Sequence, residues 1–163
     1  MRKSDIMNNI NKLDSFDYKI LNAVQANNRV TSAQLAKEVG LSSSACQRRL
    51  NAMRKIGIIE KDVSVLDRNK LNRKLTIVVQ ILSDVESTEH DKKFKKTMLE
   101  APEVMQCYYV TGDYDYVLIA TFEEMADYED FTKKYFLDNP NINHFKSMVV
   151  MNKVKEKLSI PIN

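Results

Sequence analysis

The 163-residue sequence predicts an α+β protein with an N-terminal (winged) helix-turn-helix domain, followed by a ferredoxin-like βαββαβ domain. Short amphipathic helices with capping signals come first, and β-branched runs then alternate with charged helical stretches. The charge also divides. Residues 1–75 hold 15 basic and 7 acidic residues, net +8, and residues 76–163 hold 10 and 15, net −5. The basic half is therefore expected to meet a polyanion.

Composition excludes several classes of protein. The chain is 44% apolar and 29% charged, which is typical of a globular protein. Cys46 and Cys107 form no CxxC pair, and His90 and His144 are too few for a histidine metal centre, so we expect no disulfide framework, metal or cofactor. No run approaches the roughly 18 apolar residues of a membrane span. We expect no membrane partner and a cytoplasmic, nucleoid-associated protein.

Capping signals predict the first two helices. Asp14 and Asp17 have the spacing of an N-cap and its third helical residue, so a helix is expected to start at Asp14. Thr31 and Gln34 repeat the pattern for a second helix, which is expected to end at Gly40.

A third helix is predicted to start at Ser42 and to end before Gly57, and residues 58–66 then suggest a short strand or hairpin. Two short helices joined by VGLS, followed by a longer one, indicate a helix-turn-helix whose third helix is the recognition helix.

The polar side of this third helix carries residue types that contact base edges and phosphates. The candidate DNA-binding residues are Ser42, Ser43, Ser44, Gln47, Arg48, Asn51, Arg54 and Lys55. Arg49 lies beside the apolar stripe and is expected to play a structural part, with its head group paired to a neighbour. The alternative is a basic solvated face on an ordinary three-helix bundle.

The second half follows a strand–helix–strand–strand–helix–strand order. The predicted elements are a strand at 75–82, a helix at 88–101, strands at 104–111 and 116–122, a helix at 125–137 and a strand at 143–154. Helices should cover one sheet face, and the other face, apolar on alternate residues, is expected to pair with a second copy as a homodimer. We therefore divide the chain into residues 1–66, a linker at 67–74, and a domain at 75–163.

Several segments together resemble the Lrp/AsnC, or feast/famine, family of transcription regulators. They include LDSFDYKIL (13–21), NNRVTSAQLAKEVGLS (27–42), APEVMQCYYVTGDYDYVL (101–118) and MVVMNKVK (148–155). The resemblance implies a DNA-binding helix-turn-helix and a domain that dimerises and senses small molecules, commonly amino acids. It also implies that dimers assemble into octamers, with the effector between dimers.

The same resemblance implies the effector-binding residues. The loop candidates are Thr111, Gly112, Asp113, Tyr114 and Asp115, and the weaker candidates are Met125, Val149 and Val150. Physically, an aspartate of the loop can accept from an ammonium group, while amides around the glycine hold a carboxylate. The alternative is that GDYD is a tight turn with solvated aspartates and that the methionine belongs to the core.

The sequence therefore predicts a sequence-specific, DNA-binding transcriptional regulator, modulated by a small molecule such as an amino acid and without catalytic residues. Its predicted partners are double-stranded DNA, an effector and further copies of itself. One alternative is an architectural nucleoid-type protein that binds DNA with little sequence preference. Another is a tetrapyrrole decarboxylase of the same fold, for which the chain has few suitable histidine and basic groups.

Overall fold

The computed structural model describes residues 13–83 and 88–162. Backbone contacts divide them into two compact units. We call residues 13–65 together with 155–162 the helical unit, and residues 66–83 together with 88–154 the sheet unit. No helix of the described part is both long and apolar enough to cross a membrane.

The helical unit contains three helices that begin where the capping signals predict. They are α1, Ser15–Ala26; α2, Ser32–Val39; and α3, Ser43–Lys55. The side chains of Asp14 and Thr31 accept hydrogen bonds from the first turns of α1 and α2, and both capping boxes are closed. Gly40 ends α2 with φ +81°, a left-handed conformation that glycine adopts without steric cost. Ile20, Leu35 and Cys46 bring one residue of each helix into a fully buried core.

The prediction of a strand or hairpin at residues 58–66 is wrong. Every residue of this segment is described, and none of them lies in a strand. Ile58 and Ile59 pack on the helical core, whereas Val63 and Val65 are exposed. The segment lacks a turn dipeptide, and no other strand of the helical unit pairs with it, so nothing supports a hairpin.

The sheet unit contains four antiparallel strands and two helices. The elements are β1, Leu75–Ser83; α4, Thr88–Glu100; β2, Val104–Tyr109; β3, Tyr116–Phe122; α5, Met125–Thr132; and β4, Ile142–Val149. The strand order is β2-β3-β1-β4, which the βαββαβ sequence of elements requires in a ferredoxin-like sheet. A 3-10 turn at Asn69–Leu71 precedes β1.

Alternate residues of β1 face opposite sides of the sheet. Ile77, Val79 and Ile81 are fully buried in the core beneath the two helices. On the other side Val78 is half-buried and Leu82 is exposed. This second side, which we call the open face, continues onto the neighbouring strands through Val117, Ile119, Tyr108, Met148 and Val150.

The single helix predicted at 125–137 has two parts. The α-helix ends at Thr132, and a π-helical turn follows at Lys133–Leu137. The Phe131 ring lies 4.8 Å from the Tyr135 ring and 5.3 Å from the Phe136 ring. The wider i→i+5 turn allows residues four and five positions later to pack on the same ring.

The last strand is shorter than the predicted 143–154, and the tail leaves the sheet unit. The backbone amide of Ile160 donates to Gln25 Oε1 at 2.8 Å, and Gln25 Nε2 donates to the Ile160 carbonyl at 3.2 Å. Ile162 packs against the core of the helical unit. Contacts therefore place residues 155–162 with the first domain, whereas the sequence division placed them in the domain at 75–163.

Candidate DNA-binding helix and effector site

One side of α3 is anchored in the core and the other faces solvent. Ser42 caps the helix, and its hydroxyl accepts from the backbone amide of Ala45 at 3.2 Å. Cys46, Leu50 and Met53 are buried at spacings of four and three. Their burial fixes which side of the helix remains outside.

The predicted DNA-binding residues fall into an exposed group and a partly buried group. The exposed group consists of Ser42, Ser43, Ser44, Arg48, Asn51 and Lys55. Gln47 and Arg54 are partly buried and already hydrogen-bonded within the helical unit. Among the described residues, Arg48 and Lys55 make no ion pair, so their charges face solvent.

Gln47 forms a hydrogen-bond chain that includes a residue absent from the sequence prediction. Ser32 Oγ donates to Gln47 Oε1 at 2.6 Å, and Gln47 Nε2 donates to Asn51 Oδ1 at 2.9 Å. Asn51 keeps its own amide donors for other partners. Ser32 opens α2 directly after its N-cap, and that position was the only available signal for it.

Like Gln47, Arg54 is a candidate DNA-binding residue that already has a hydrogen-bond partner in the helical unit. Its Nε donates to Asp62 Oδ2 at 2.9 Å, which ties the end of α3 to the extended segment that follows. The neighbouring carboxylate offsets part of the positive charge of this arginine. We therefore rank Arg54 below Arg48 as a contact to DNA.

Arg49 has the structural part that its position predicts. Its Nη1 lies 2.9 Å from Asp14 Oδ2 and 2.9 Å from Asp17 Oδ1, and its guanidinium lies over the Phe16 ring. The backbone amide of Asp17 and the Arg49 guanidinium lower the pKa of Asp14. The two carboxylates in turn raise the pKa of Arg49. Arg49 therefore links α3 to the start of α1.

The candidate effector loop joins β2 to β3. Thr111, Gly112 and Asp113 are exposed, and Gly112 has φ +123°. Asp115 is engaged, because its Oδ2 accepts from the Ser83 backbone amide at 2.8 Å and from Ser83 Oγ at 3.1 Å. Its own amide donates to the Ile81 carbonyl at 2.9 Å, so Asp115 fastens the loop to the end of β1.

The other predicted effector residues lie elsewhere on the sheet unit. Val149 is opposite Ile77, near the start of β1, whereas the loop is attached at its end, at Ser83. Ile77 and Ser83 are six residue steps apart along the strand, a distance of about 20 Å. Val149 faces the helices and Val150 belongs to the open face. One chain therefore does not bring all the predicted effector residues together.

Among residues 13–83 and 88–162, no cluster of three or more potential ligands could hold a metal ion. The polar groups of both candidate sites are hydroxyls, amides, carboxylates and cations suited to hydrogen bonding.

Two regions of the chain match known families. Residues 13–60 match the winged helix-turn-helix DNA-binding family, and residues 76–160 match the Lrp/AsnC ligand binding domain. The chain belongs to the Lrp/AsnC family. It is an HTH-type transcriptional regulator with a small-molecule-binding domain, and not an enzyme.

Relatives of this Lrp/AsnC regulator align over nearly its whole length. An uncharacterized HTH-type transcriptional regulator of Sinorhizobium fredii is 46% identical over 93% of this chain and 89% of its own. The leucine-responsive regulatory protein of Haemophilus influenzae is 31% identical over 88% of this chain and 87% of its own.

Solved structures show the same architecture. A transcriptional regulator of Neisseria meningitidis, determined as a complex with L-Met, is 30% identical, with a TM-score of 0.89 over 93% of this chain and 98% of its own. An AsnC family regulator of Agrobacterium tumefaciens is 35% identical, with a TM-score of 0.86 over 91% of this chain and 97% of its own.

Proposed function

We propose that this Lrp/AsnC regulator recognises its operator through the exposed side of α3. Arg48 and Asn51 contact base edges, while Ser43 and Ser44 at the start of the helix contact phosphate. One observation supports this assignment most directly. The charge of Arg48 faces solvent, next to the hydrogen bonds that join Ser32 to Gln47 and Gln47 to Asn51. Arginine and asparagine are the side chains that read guanine and adenine edges in the major groove.

The test is a measurement of DNA affinity at several salt concentrations. An operator is first selected from genomic fragments, and its affinity for variants is then compared with that of unrelated DNA. Arg48→Ala should weaken operator binding about 10- to 100-fold, because a good base contact contributes about 1–3 kcal/mol. Lys55→Ala should weaken both DNAs alike and reduce the salt slope by about one.

Lys92→Ala, an exposed lysine of α4, is the matched control and should change neither affinity. If Arg48→Ala lowers both affinities equally, it acts through phosphate alone, and the base-reading assignment is wrong. Equal wild-type affinities for operator and unrelated DNA would support an architectural role instead.

We further propose that two copies pair through the open face of the sheet, and that four such dimers form an octamer. Half-buried Val78 and Ile119 together with exposed Met148 make this face apolar without covering it. Val78→Glu should convert the assembly to monomers in sedimentation velocity experiments while the circular dichroism spectrum stays native. An unchanged sedimentation coefficient would move the dimer contact elsewhere.

The effector is proposed to be an amino acid, bound where the loop of one chain meets residues of another. The candidates on the loop are Thr111, Gly112, Asp113, Tyr114 and Asp115, and those beyond it are Met125, Val149 and Val150. The separation of about 20 Å within one chain favours a site built from several copies. The L-Met complex of the Neisseria meningitidis relative supports this class of ligand.

A thermal-shift screen against the twenty amino acids tests the effector proposal. A ligand at about 100 times its Kd adds about 2.7 kcal/mol to the folded state. Asp113→Ala is the cleaner loop variant, because Asp115 is needed to hold Ser83. Asp113→Ala should reduce the shift and leave DNA binding intact. A full shift in this variant would exclude Asp113 from the site.

A further inference from the structure

A cavity of about 500 Å³ lies within the sheet unit, at the end of the sheet where β1 ends. Its walls are α4, the start of β3, the π-helical turn and the loop before β4. This volume is within the range of small-molecule sites in proteins. Asp113, Met125, Val149 and Val150 do not line the cavity, so it is separate from the effector site proposed above.

The floor of the cavity is aromatic and fixed. The rings of Phe94 and Tyr116 lie 4.6 Å apart, and both residues are buried. The Tyr116 hydroxyl donates to Asp91 Oδ1, while Lys95 Nζ lies 2.6 Å from Asp91 Oδ2. These two partners lower the pKa of Asp91. The negative charge of Asp91 is therefore offset by Lys95, and both of its oxygens already have partners.

Two further lysines line the cavity from different elements. Lys93 comes from α4, and its ammonium makes no ion pair or hydrogen bond within residues 13–83 and 88–162. Lys134 comes from the π-helical turn and lies over the Tyr135 ring, 4.6 Å from its centre. Asp138 is the one other acidic residue among the described lining residues. The cavity therefore offers cations near an apolar floor.

The loop before β4 adds neutral donors in a fixed orientation. The backbone amide and the Nδ2 of Asn141 each donate to Asn139 Oδ1 at 3.1 Å. This arrangement uses the acceptor of the Asn139 carboxamide and leaves its amide group available to donate. The neighbouring π-helical turn is a second sign of a site, because such turns are rare and recur at functional positions.

We propose that this cavity binds a small organic carboxylate within a single chain, at a site distinct from the effector site between copies. Lys93, Lys134 and the Asn139 amide receive the carboxylate. Phe94 and Tyr135 receive the apolar body of the ligand. Asp115, through its bonds to Ser83 in the cavity wall, links this site to the effector loop.

The test uses four probes of one shape in isothermal titration calorimetry with the full-length protein. 4-Methylpentanoate, 4-methyl-2-oxopentanoate and leucine share a carboxylate and a branched body, and leucinol lacks the carboxylate. At least one of the three carboxylates should bind, and leucinol should not. The preference between leucine and its oxo acid shows whether the natural ligand is an amino acid or an oxo acid.

Substitutions in and next to the cavity test whether the carboxylate binds there. Lys93→Ala should weaken binding of the carboxylate about tenfold or more, because it removes a hydrogen bond between two charged groups. Its neighbour Lys92→Ala, outside the cavity, should leave the affinity unchanged. Thr97→Trp, which fills the cavity from α4, should abolish binding, with circular dichroism as the check on folding.

The outcomes separate this proposal from the effector proposal. If Asp113→Ala abolishes binding and both Lys93→Ala and Thr97→Trp leave it intact, the cavity proposal is overturned and the effector site between copies stands. If none of the three carboxylates binds, or leucinol binds equally well, the cavity proposal is also overturned. Binding that survives Asp113→Ala and fails in Thr97→Trp supports it.

Discussion

The helical unit and the sheet unit organise their candidate sites in opposite ways. In the helical unit, the exposed candidates Ser43, Arg48, Asn51 and Lys55 occupy a single capped helix. In the sheet unit, the candidates lie on a loop, at a helix start and at a strand end, and the loop and the strand end are about 20 Å apart along β1. One chain presents the candidates of the helical unit together on one helix, whereas one chain does not bring the candidates of the sheet unit together.

The two units also differ in the interactions that stabilise them. The helical unit has a core without buried aromatic rings, and capping bonds and the Arg49 ion pairs between helices add to it. The sheet unit depends on a cluster of aromatic rings beneath two helices. The following predictions test that contrast, in order of decreasing expected effect.

The largest effect is expected from Phe131→Ala in the sheet unit. Phe131 is buried, and its ring packs against four others, Phe122, Tyr128, Tyr135 and Phe136. Removing it should lower the free energy of unfolding by about 4 kcal/mol, because a large cavity remains. Six of the seven tyrosines belong to the sheet unit, so urea unfolding followed by tyrosine emission reports on it.

Leu99→Ala is the control for Phe131, since this leucine is 86% exposed, and its effect should stay within about 0.5 kcal/mol. A loss of similar size in both variants would show that the aromatic cluster does not stabilise the sheet unit.

Arg49→Ala should lower the free energy of unfolding of the helical unit by about 2 kcal/mol, since Asp17 is buried and loses a charged partner. Its neighbour provides the matched control. Arg48→Ala should leave stability within about 0.5 kcal/mol, because its side chain is exposed. Denaturation followed by circular dichroism at 222 nm measures both. Equal losses of stability in the two variants would contradict the assignment of a structural role to Arg49 and not to Arg48.

A smaller effect is expected from ending the chain after Lys157. The truncation removes the two hydrogen bonds to Gln25 and the packing of Ile162. The helical unit should lose about 1–2 kcal/mol, although the deleted residues follow the sheet unit in sequence. Lys157→Ala, which keeps the tail, should be neutral. A truncated protein as stable as the full chain would mean that the tail contributes nothing to the helical unit.

The smallest effect is expected on the stability of the helical unit at acidic pH. The pKa of Asp14 lies below its ordinary 3.8 in the folded helical unit. The stabilisation from this carboxylate is therefore complete above that value and is lost as the pH falls through the lowered pKa. Asp14→Asn should flatten the decline in stability below about pH 4. Unfolding free energies measured at several acidic pH values decide this, and parallel curves for the two proteins would refute it.

Local features of the fold were predictable because their partners are close in sequence. The capping boxes of Asp14 with Asp17 and of Thr31 with Gln34 each span three residues, and the structure confirms both. The position of β3 was predicted to the residue, because the hairpin signal Gly112-Asp113-Tyr114-Asp115 comes directly before it, and the structure confirms the strand at Tyr116–Phe122.

The features that were missed depend on distant partners. The bond from Ser32 to Gln47 and the return of Ile160 to Gln25 join residues that no periodic pattern relates. The segment at 58–66 has strand-like composition and yet pairs with no strand of its own unit. The π-helical turn accompanies the packing of two residues, Tyr135 and Phe136, on one phenylalanine ring. Tertiary packing decides all of these.

The return of the tail also affects the order in which the helical unit is assembled. The backbone passes between the units twice, after Val65 and again after Val154, so the sheet unit is an insertion between two parts of the helical unit. The helical unit therefore acquires its last packing contacts only when the final residues of the chain have returned to Gln25 and the helical core.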